Sequence, residues 1–431
     1  FALPDMDSTL AYAAAAAALS SYLLWFYLLA RNLSGPTVWP VIGSLPGLFL
    51  NRSRIHDWIS GHLRSSGPSA TYQTSTLPLP FLPSGTGFYT VTAHPRNVEH
   101  ILRTRFDNYP KGPVWQSAFH DLLGHGIFNA DGPSWLVQRK TAALEFTTRT
   151  LRLAMARWVN RAIRSRLWVV LDKSARDHRP VDLQDLLLRL TFDNICGLTL
   201  GRDPETLSPD LPDNPFSSAF DSATSATLDR LLYPRLLRLG SERRLWTTLR
   251  VVDQYMSEAL ASRSPTTAYS NDDLISRFAR RTGPDGKPYP DEVLKKIALN
   301  FVLAGRDTSS VALAWFFWSV MNDGRVEGRI IEELTGVLKE TRGDDVARWR
   351  EEPVSFEEAE KLVYMKAALA ETLRLYPSVP MDFKYAVEDD VLPDGSRVPA
   401  VQLLLTGFPR IELYGPKLLQ IEFLGLGFIV L

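Results

Sequence analysis

Cysteine is nearly missing from this sequence: among 431 residues only Cys196 carries a thiol. No internal disulfide can form and a cysteine-rich zinc site is excluded, which suits a cytosol-facing protein. Net charge is missing too, because 48 basic and 48 acidic residues cancel. The overall balance therefore offers nothing that would draw the chain to nucleic acid.

Charge is also absent from one whole stretch near the start. Ser8 to Ala30 runs 23 residues without an ionisable acid or base and ends in Leu23-Leu24-Trp25-Phe26-Tyr27-Leu28-Leu29. As a helix it would be roughly 35 Å long, enough to cross a hydrocarbon core of about 30 Å. Asp5 and Asp7 precede it, whereas Arg31, Arg52 and Arg54 follow it. The positive-inside rule then leaves the body in the cytosol. A cleaved signal peptide is disfavoured by the acidic flank before the stretch and the aromatic belt at its end. The expected organisation is an anchor over 1–34, a Pro- and Gly-rich hinge over 35–50, a body over 51–400 and a separate tail over 401–431. Gly35-Pro36 and Trp39 to Gly47 hold three prolines and three glycines, too many for a helix and suited to a stiff connection.

The longest helical signal runs from Asp291 to Asn322, with Pro288 and Pro290 before it, Asp291 as a capping residue and Asn322-Asp323-Gly324 after it. From Ile297 to Val320 it is apolar on nearly every side, which predicts burial through a large domain. One polar cluster interrupts it, Arg306-Asp307-Thr308-Ser309-Ser310, preceded by Ala304 and Gly305. A mid-helix glycine costs about 1 kcal/mol and hydroxyls compete for helix carbonyls, so a function should offset them. Ala304 and Thr308 share a face, and Gly305 would let a flat ligand approach the backbone. Asp307 next to an alcohol in a dry groove is a plausible proton relay. The alternative is a kinked core helix whose hydroxyls bond the preceding turn.

Elsewhere, Trp135 and Arg139 stand four apart, an indole N–H and a guanidinium on one helix face, both pure donors suited to a carboxylate. A surface arginine stacked on a tryptophan is the alternative. Leu151 to Leu171, Leu183 to Leu198 and Leu228 to Leu260 show the spacing of amphipathic helices. Cys196, among Phe192, Ile195 and Leu198, reads as a packed thiol rather than a ligand. Ser355-Phe356-Glu357-Glu358 is a capping box that opens a helical region reaching Leu375, near whose end Glu371 and Arg374 are three apart and able to pair. Strand signals follow at Phe383 to Val387 and Val391 to Val398.

In this order and spacing, Trp135-x-x-x-Arg139, Ala304-Gly305-Arg306-Asp307-Thr308-Ser309 and Glu371-x-x-Arg374 resemble a cytochrome P450, a haem-thiolate monooxygenase. Phe106-Asp107-Asn108-Tyr109-Pro110-Lys111-Gly112-Pro113, Glu145 to Leu151, Thr191-Phe192-Asp193-Asn194-Ile195-Cys196-Gly197 and Leu299 to Ser310 are similar to the plant long-chain fatty-acid omega-hydroxylases. The resemblance covers roughly residues 7 to 400. It implies a mainly α fold with small β-sheets (α+β), anchored by a single span in the endoplasmic reticulum membrane. It implies haem, electrons from NADPH through a reductase, and insertion of one oxygen atom of O₂ at the terminal methyl of a fatty acid, in lipid metabolism of the cutin and suberin type. Trp135 and Arg139 would hold a haem propionate, Ala304 and Gly305 would line the haem face, and Asp307 and Thr308 would deliver protons. Glu371 and Arg374 would be structural.

The resemblance also requires a cysteine thiolate on the iron, in a Phe-x-x-Gly-x-Arg-x-Cys-x-Gly loop after the Glu-x-x-Arg helix. That loop is absent, and Cys196 precedes the central helix. Residues 401–431 read without family character, like a frameshift, a retained intron or a misjoined exon. The expectation is an omega-hydroxylase gene product whose 431 residues as written do not catalyse. The alternative is a non-catalytic, membrane-anchored helical protein.

Overall fold

The computed structural model describes residues 6–81, 86–145, 149, 152–153, 155–232, 238–261, 273–281 and 287–407. The chain divides into two compact units, Phe1–Gly112 with Pro380–Leu413, and Pro113–Val379 with Tyr414–Leu431.

The first unit opens with helix α1, Met6–Ala30, of which Thr9–Ala30 is long and apolar enough to cross a membrane by length and composition. Further on, α2 (Ile55–Ser65) and α3 (Pro95–Glu99) flank a four-stranded sheet. Its strands are β1 (Thr71–Ser75), β2 (Phe88–Thr92), β3 (Met381–Tyr385) and β6 (Leu403–Gly407), in the order β1-β2-β6-β3. A small hairpin of β4 (Asp390–Val391) and β5 (Arg397–Val398) turns through Pro393-Asp394-Gly395, where Gly395 takes the φ of +88° that a side chain would resist. Ile59 and Leu63 of α2 pack with Tyr72, Val91 and Leu405 of the sheet. Thr71 and Thr92 pair their hydroxyls across β1 and β2 at 2.7 Å, and buried Asn97 donates to both at 3.1 and 3.0 Å.

β6 lies inside the sheet, parallel to β2 and antiparallel to β3, with Leu405 opposite both Val91 and Phe383. The expected end of the body at residue 400 thus falls before a central strand. Leu403-Leu404-Leu405 is a short apolar run, which alone cannot be told from a buried helix turn. Residues 408–431 of the expected tail lie outside the described residues, as do 146–148, 150 and 151 of the stretch from Glu145 to Leu151.

The hinge is tied to β1 rather than hanging free. Gly35 N donates to Gln73 O at 3.1 Å, Ser44 N to Ser75 O at 2.8 Å, and Trp39 bridges Gly43. Gly43, at φ +55°, lies against the Ser75 carbonyl where a Cβ would collide.

The second unit is helical. Its elements are α4 (Gly112–Leu123), α5 (Gly132–Glu145), α6 (Trp168–Asp177), α7 (Leu183–Leu200), α8 (Pro215–Leu232), α9 (Leu239–Ala261), α10 (Leu274–Ala279), α11 (Asp291–Met321), α12 (Gly324–Arg342), α13 (Phe356–Lys361) and α14 (Val363–Leu375). The expected run from Leu228 to Leu260 is two helices, α8 and α9, and the run from Leu151 to Leu171 contains π-helical turns at Met155–Val159 and Ile163–Leu167. Leucine spacing alone does not separate these cases, since 3.6- and near-4-residue periods diverge only over several turns.

Helix α11 is the unit's axis. Leu294, Ile297, Ala298, Leu299, Phe301 and Val302 join one core with residues of α7, α8, α9 and α10. Asp291 and Glu292 sit in its first turn, where carboxylates complement the helix dipole. Its last turns depart from the expected full burial: Trp315, Phe317, Trp318 and Met321 are exposed. Trp315 stacks on Tyr376 at the end of α14 with ring centres 4.2 Å apart.

The capping box at α13 forms as read, with Ser355 Oγ accepting from Glu358 N and Glu358 accepting from Ser355 N. Glu358 also accepts two bonds from the Arg342 guanidinium, at 2.8 and 2.6 Å, and one from Thr341 at 2.7 Å. The Arg342 fork holds its carboxyl down at about 2. Because the folded value lies below the ordinary 4.5, the stabilisation is present above pH 4.5 and lost as pH falls through about 2. It should amount to on the order of 2 kcal/mol after solvent screening. Glu358→Gln is expected to lose that amount at neutral pH and to flatten the acid limb of the stability profile. An unchanged acid limb in the variant would refute the assignment.

Candidate functional site

The polar cluster of α11 is held by groups far away in sequence. Arg306 is 1 % exposed. Its guanidinium forks the Asp221 carboxylate of α8, with Nη2 at 2.9 Å from Oδ2, and donates to Ser217 Oγ at 3.0 Å. Phe192 and Phe220 flank it, with ring centres 5.0 and 6.0 Å from the guanidinium carbon. Its main-chain carbonyl accepts from Thr191 Oγ1 at 2.9 Å. A buried cation is tolerable on these terms, because it is paired, hydrogen-bonded and placed against aromatic faces.

Asp307 Oδ1 lies 3.5 Å from Arg306 Nη1. Burial raises the Asp307 carboxyl above its ordinary range, with the Arg306 charge pulling the other way and Asp221 adding to the rise. Such a group keeps its proton to higher pH than a surface aspartate. Thr308 Oγ1 donates to Ala304 O at 2.6 Å, and Ser310 Oγ to Asp307 O at 3.1 Å. The hydroxyls therefore bond the preceding turn, as the core-helix alternative has it, while the Thr308 oxygen keeps its acceptor capacity.

A Cβ on Gly305 would stand 2.5 Å from Ile195 Cδ1, so its missing side chain lets α7 pack closely against α11. Thr191, Phe192 and Ile195 all serve this packing, and Cys196 is wholly buried in the same core. Burial pushes the Cys196 thiol well above its ordinary pKa.

Trp135 and Arg139 are half-buried on α5, one turn apart. Arg374 and Glu371 pair through two bonds, Nε to Oε2 at 2.7 Å and Nη2 to Oε1 at 2.5 Å, and this guanidinium lowers the Glu371 carboxyl. His125 packs edge-on to His120 with ring centres 5.2 Å apart. Among the described residues no group of three or more His, Cys, Asp or Glu is placed to hold a metal ion.

Sequence reading missed two residues on α11. Asn300 is 0 % exposed. It accepts from Phe128 N at 3.0 Å and donates to Leu123 O and Lys296 O at 3.1 and 2.7 Å. Lys296 Nζ donates to Asp121 O at 2.6 Å. Spaced by four, Lys296, Asn300, Ala304 and Thr308 form one stripe. Its first half fastens the loop that leads into α5, where Gln138 Nε2 in turn donates to His125 O at 2.8 Å. Gly126 abuts the Asn300 side chain with no room for a Cβ. The available signal was a lone asparagine in an apolar run.

The described residues thus form a mainly α chain with a small mixed sheet, whose central helix carries the Asp-Thr sequence. The solved cytochrome P450DA heme domain superposes with a TM-score of 0.70, at 19 % identity over 88 % of this chain and 77 % of that one. The family model "Cytochrome P450" matches residues 35–406. Cytochrome P450 86B1 of Arabidopsis thaliana is 40 % identical over 381 residues, covering 85 % of this chain and 67 % of its own. Cytochrome P450 94A2 of Vicia sativa is 37 % identical over 414 residues, covering 88 % and 74 %. The chain belongs to the cytochrome P450 family, the haem-dependent monooxygenases, and is an oxidoreductase of that kind. The match through residue 406 takes in most of β6.

The residues fit the family's haem only in part. Trp135 and Arg139 offer donors suited to a carboxylate. Cys196 is free, buried in the core, and its thiol is pushed up by burial, whereas a thiolate iron ligand needs a lowered thiol pKa.

Proposed function

We propose that these residues are the body of a fatty-acid omega-hydroxylase held at the endoplasmic reticulum membrane, receiving electrons from NADPH through a reductase, with none of the 431 residues supplying the iron's thiolate. The observation that carries this reading is the adjacency of Asp307 and Thr308 on helix α11, in a chain 40 % identical to a plant family member. Haem, when held by Trp135 and Arg139, supplies the oxygen chemistry. The chain's own part is proton handling. Asp307, whose carboxyl burial raises, and Thr308, whose hydroxyl is held on the Ala304 carbonyl at 2.6 Å, would be the groups that hold and release protons. Glu371 and Arg374 keep the end of α14 in place.

The test is a chimera joining residues 1–400 to a family C-terminus that contains the cysteine loop. Supplied with reductase and a long-chain fatty acid, it should form the terminal alcohol. Thr308→Ala in the chimera should raise electron consumption per product several-fold. Equal coupling in the two proteins would remove Thr308 from the relay, and no hydroxylated fatty acid would remove the substrate class. A second reading, a non-catalytic membrane-anchored helical protein, is favoured for the 431-residue polypeptide itself by the burial of Cys196.

A further inference from the structure

Two exposed histidines meet where α4 runs into the loop before α5. His120 is in the last turn of α4, and His125 lies on the loop beyond it. Their ring centres are 5.2 Å apart and the rings are nearly perpendicular, at 79°. A tetrahedral ion about 2.0–2.1 Å from one nitrogen of each imidazole would hold the ring centres roughly 5 Å apart. The separation is that of a chelating pair, so rotation about the side-chain torsions is enough to present one nitrogen from each ring.

The backbone beneath both rings is fixed from several sides. Gly124 N donates to His120 O at 2.8 Å, and Gly126 N to Leu123 O at 3.0 Å. Gly124 takes a φ of +57° against the Lys296 side chain, whose Nζ donates to Asp121 O at 2.6 Å. From α5, Gln138 Nε2 donates to His125 O at 2.8 Å. A donor pair mounted in this way has little backbone freedom left to lose on taking up an ion, which favours binding.

A carboxylate stands behind the first ring. Asp121 Oδ1 lies 3.8 Å from His120 Nδ1, while Asp121 Oδ2 is held at 2.8 Å by Arg230 Nη2 of α8. Metal-bound imidazoles turn their second N–H toward such a partner, which fixes the tautomer and makes the other nitrogen the better donor. His120 Nε2 is then the nitrogen left for the ion. With Asp121 committed to Arg230, the donors on offer are imidazole nitrogens, which select zinc, copper or nickel over magnesium or calcium.

We propose that His120 and His125 chelate a divalent transition-metal ion, with water completing its coordination. A site of two side chains is compatible with the lack of any three-residue ligand group among the described residues. Once bound, the ion clamps the end of α4 to the loop that Asn300 and Gln138 already hold, and so braces the start of α5.

The test uses the full chain in detergent micelles. Zn²⁺ titrated calorimetrically should bind at a single site, and His120→Gln or His125→Gln should each weaken that binding by about tenfold or more, since even an outer-shell partner is worth that much. His178→Gln, at an exposed histidine elsewhere in the sequence, should leave it unchanged, and Mg²⁺ should not compete. Cu²⁺ on the chain should show hyperfine structure from two imidazole nitrogens by electron paramagnetic resonance, reduced to one in either variant. No Zn²⁺ binding, or binding that survives both substitutions, would overturn the proposal and leave the two rings as a packing contact. Loss in one variant with none in the other would equally overturn the chelate, because a single imidazole would then hold the ion.

Discussion

Asp221→Ala is expected to cost about 3–5 kcal/mol of stability, the range for stranding a buried charge by removing its partner. The effect falls on Arg306, which is 1 % exposed and has the Asp221 carboxylate and the Ser217 hydroxyl as its side-chain hydrogen-bond acceptors. With Asp221 gone, a guanidinium wedged between Phe192 and Phe220 must either stay there underpaired or pull α11 away from α8. The double variant Asp221→Ala with Arg306→Met should recover most of the loss, since an apolar chain of similar length suits the aromatic slot. The measurement is the denaturant midpoint of the four proteins in the cycle. A single-variant loss below about 1 kcal/mol would mean that the pair is an ordinary surface bridge. The same substitution removes a negative charge that raises the Asp307 carboxyl, so Asp307 should titrate lower in the Asp221→Ala protein.

The purified 431-residue chain, reduced and exposed to carbon monoxide, is expected to show no thiolate-type Soret band and to form no hydroxylated fatty acid with reductase. Its only sulfhydryl is 0 % exposed and lies among Phe192, Ile195 and Leu200 of α7. Reaching iron would require α7 to leave α11, against the contact that Gly305 makes possible. Adding a family C-terminus with its cysteine loop should restore the band, because the loop brings the thiolate that such a band requires. A thiolate band from the unextended chain would show that a ligand had been overlooked and would overturn the reading of Cys196.

Much of the fold is legible along the chain because it is written in local terms. The limits of α11, the capping box at Ser355 and Glu358 and the Glu371–Arg374 pair depend on neighbours within four residues. Windows of that size contain the physics that decides them. The burial expected for all of α11 failed at Trp315, Phe317 and Trp318 because hydropathy states what a side chain prefers, not which neighbour reaches it.

By itself the sequence determined the long apolar segment at the start, the order of helices, the shortage of cysteine and the motif set that places the chain in its family. The tertiary structure alone decided what the site residues do for one another. Gly305 faces Ile195, Arg306 is neutralised by a carboxylate 85 residues earlier, Asn300 fastens a loop 172 residues earlier, and β6 lies between β2 and β3. These are contacts between segments remote in the chain, chosen by packing and by the pairing of most buried polar groups, and no local spacing rule encodes which segment will arrive.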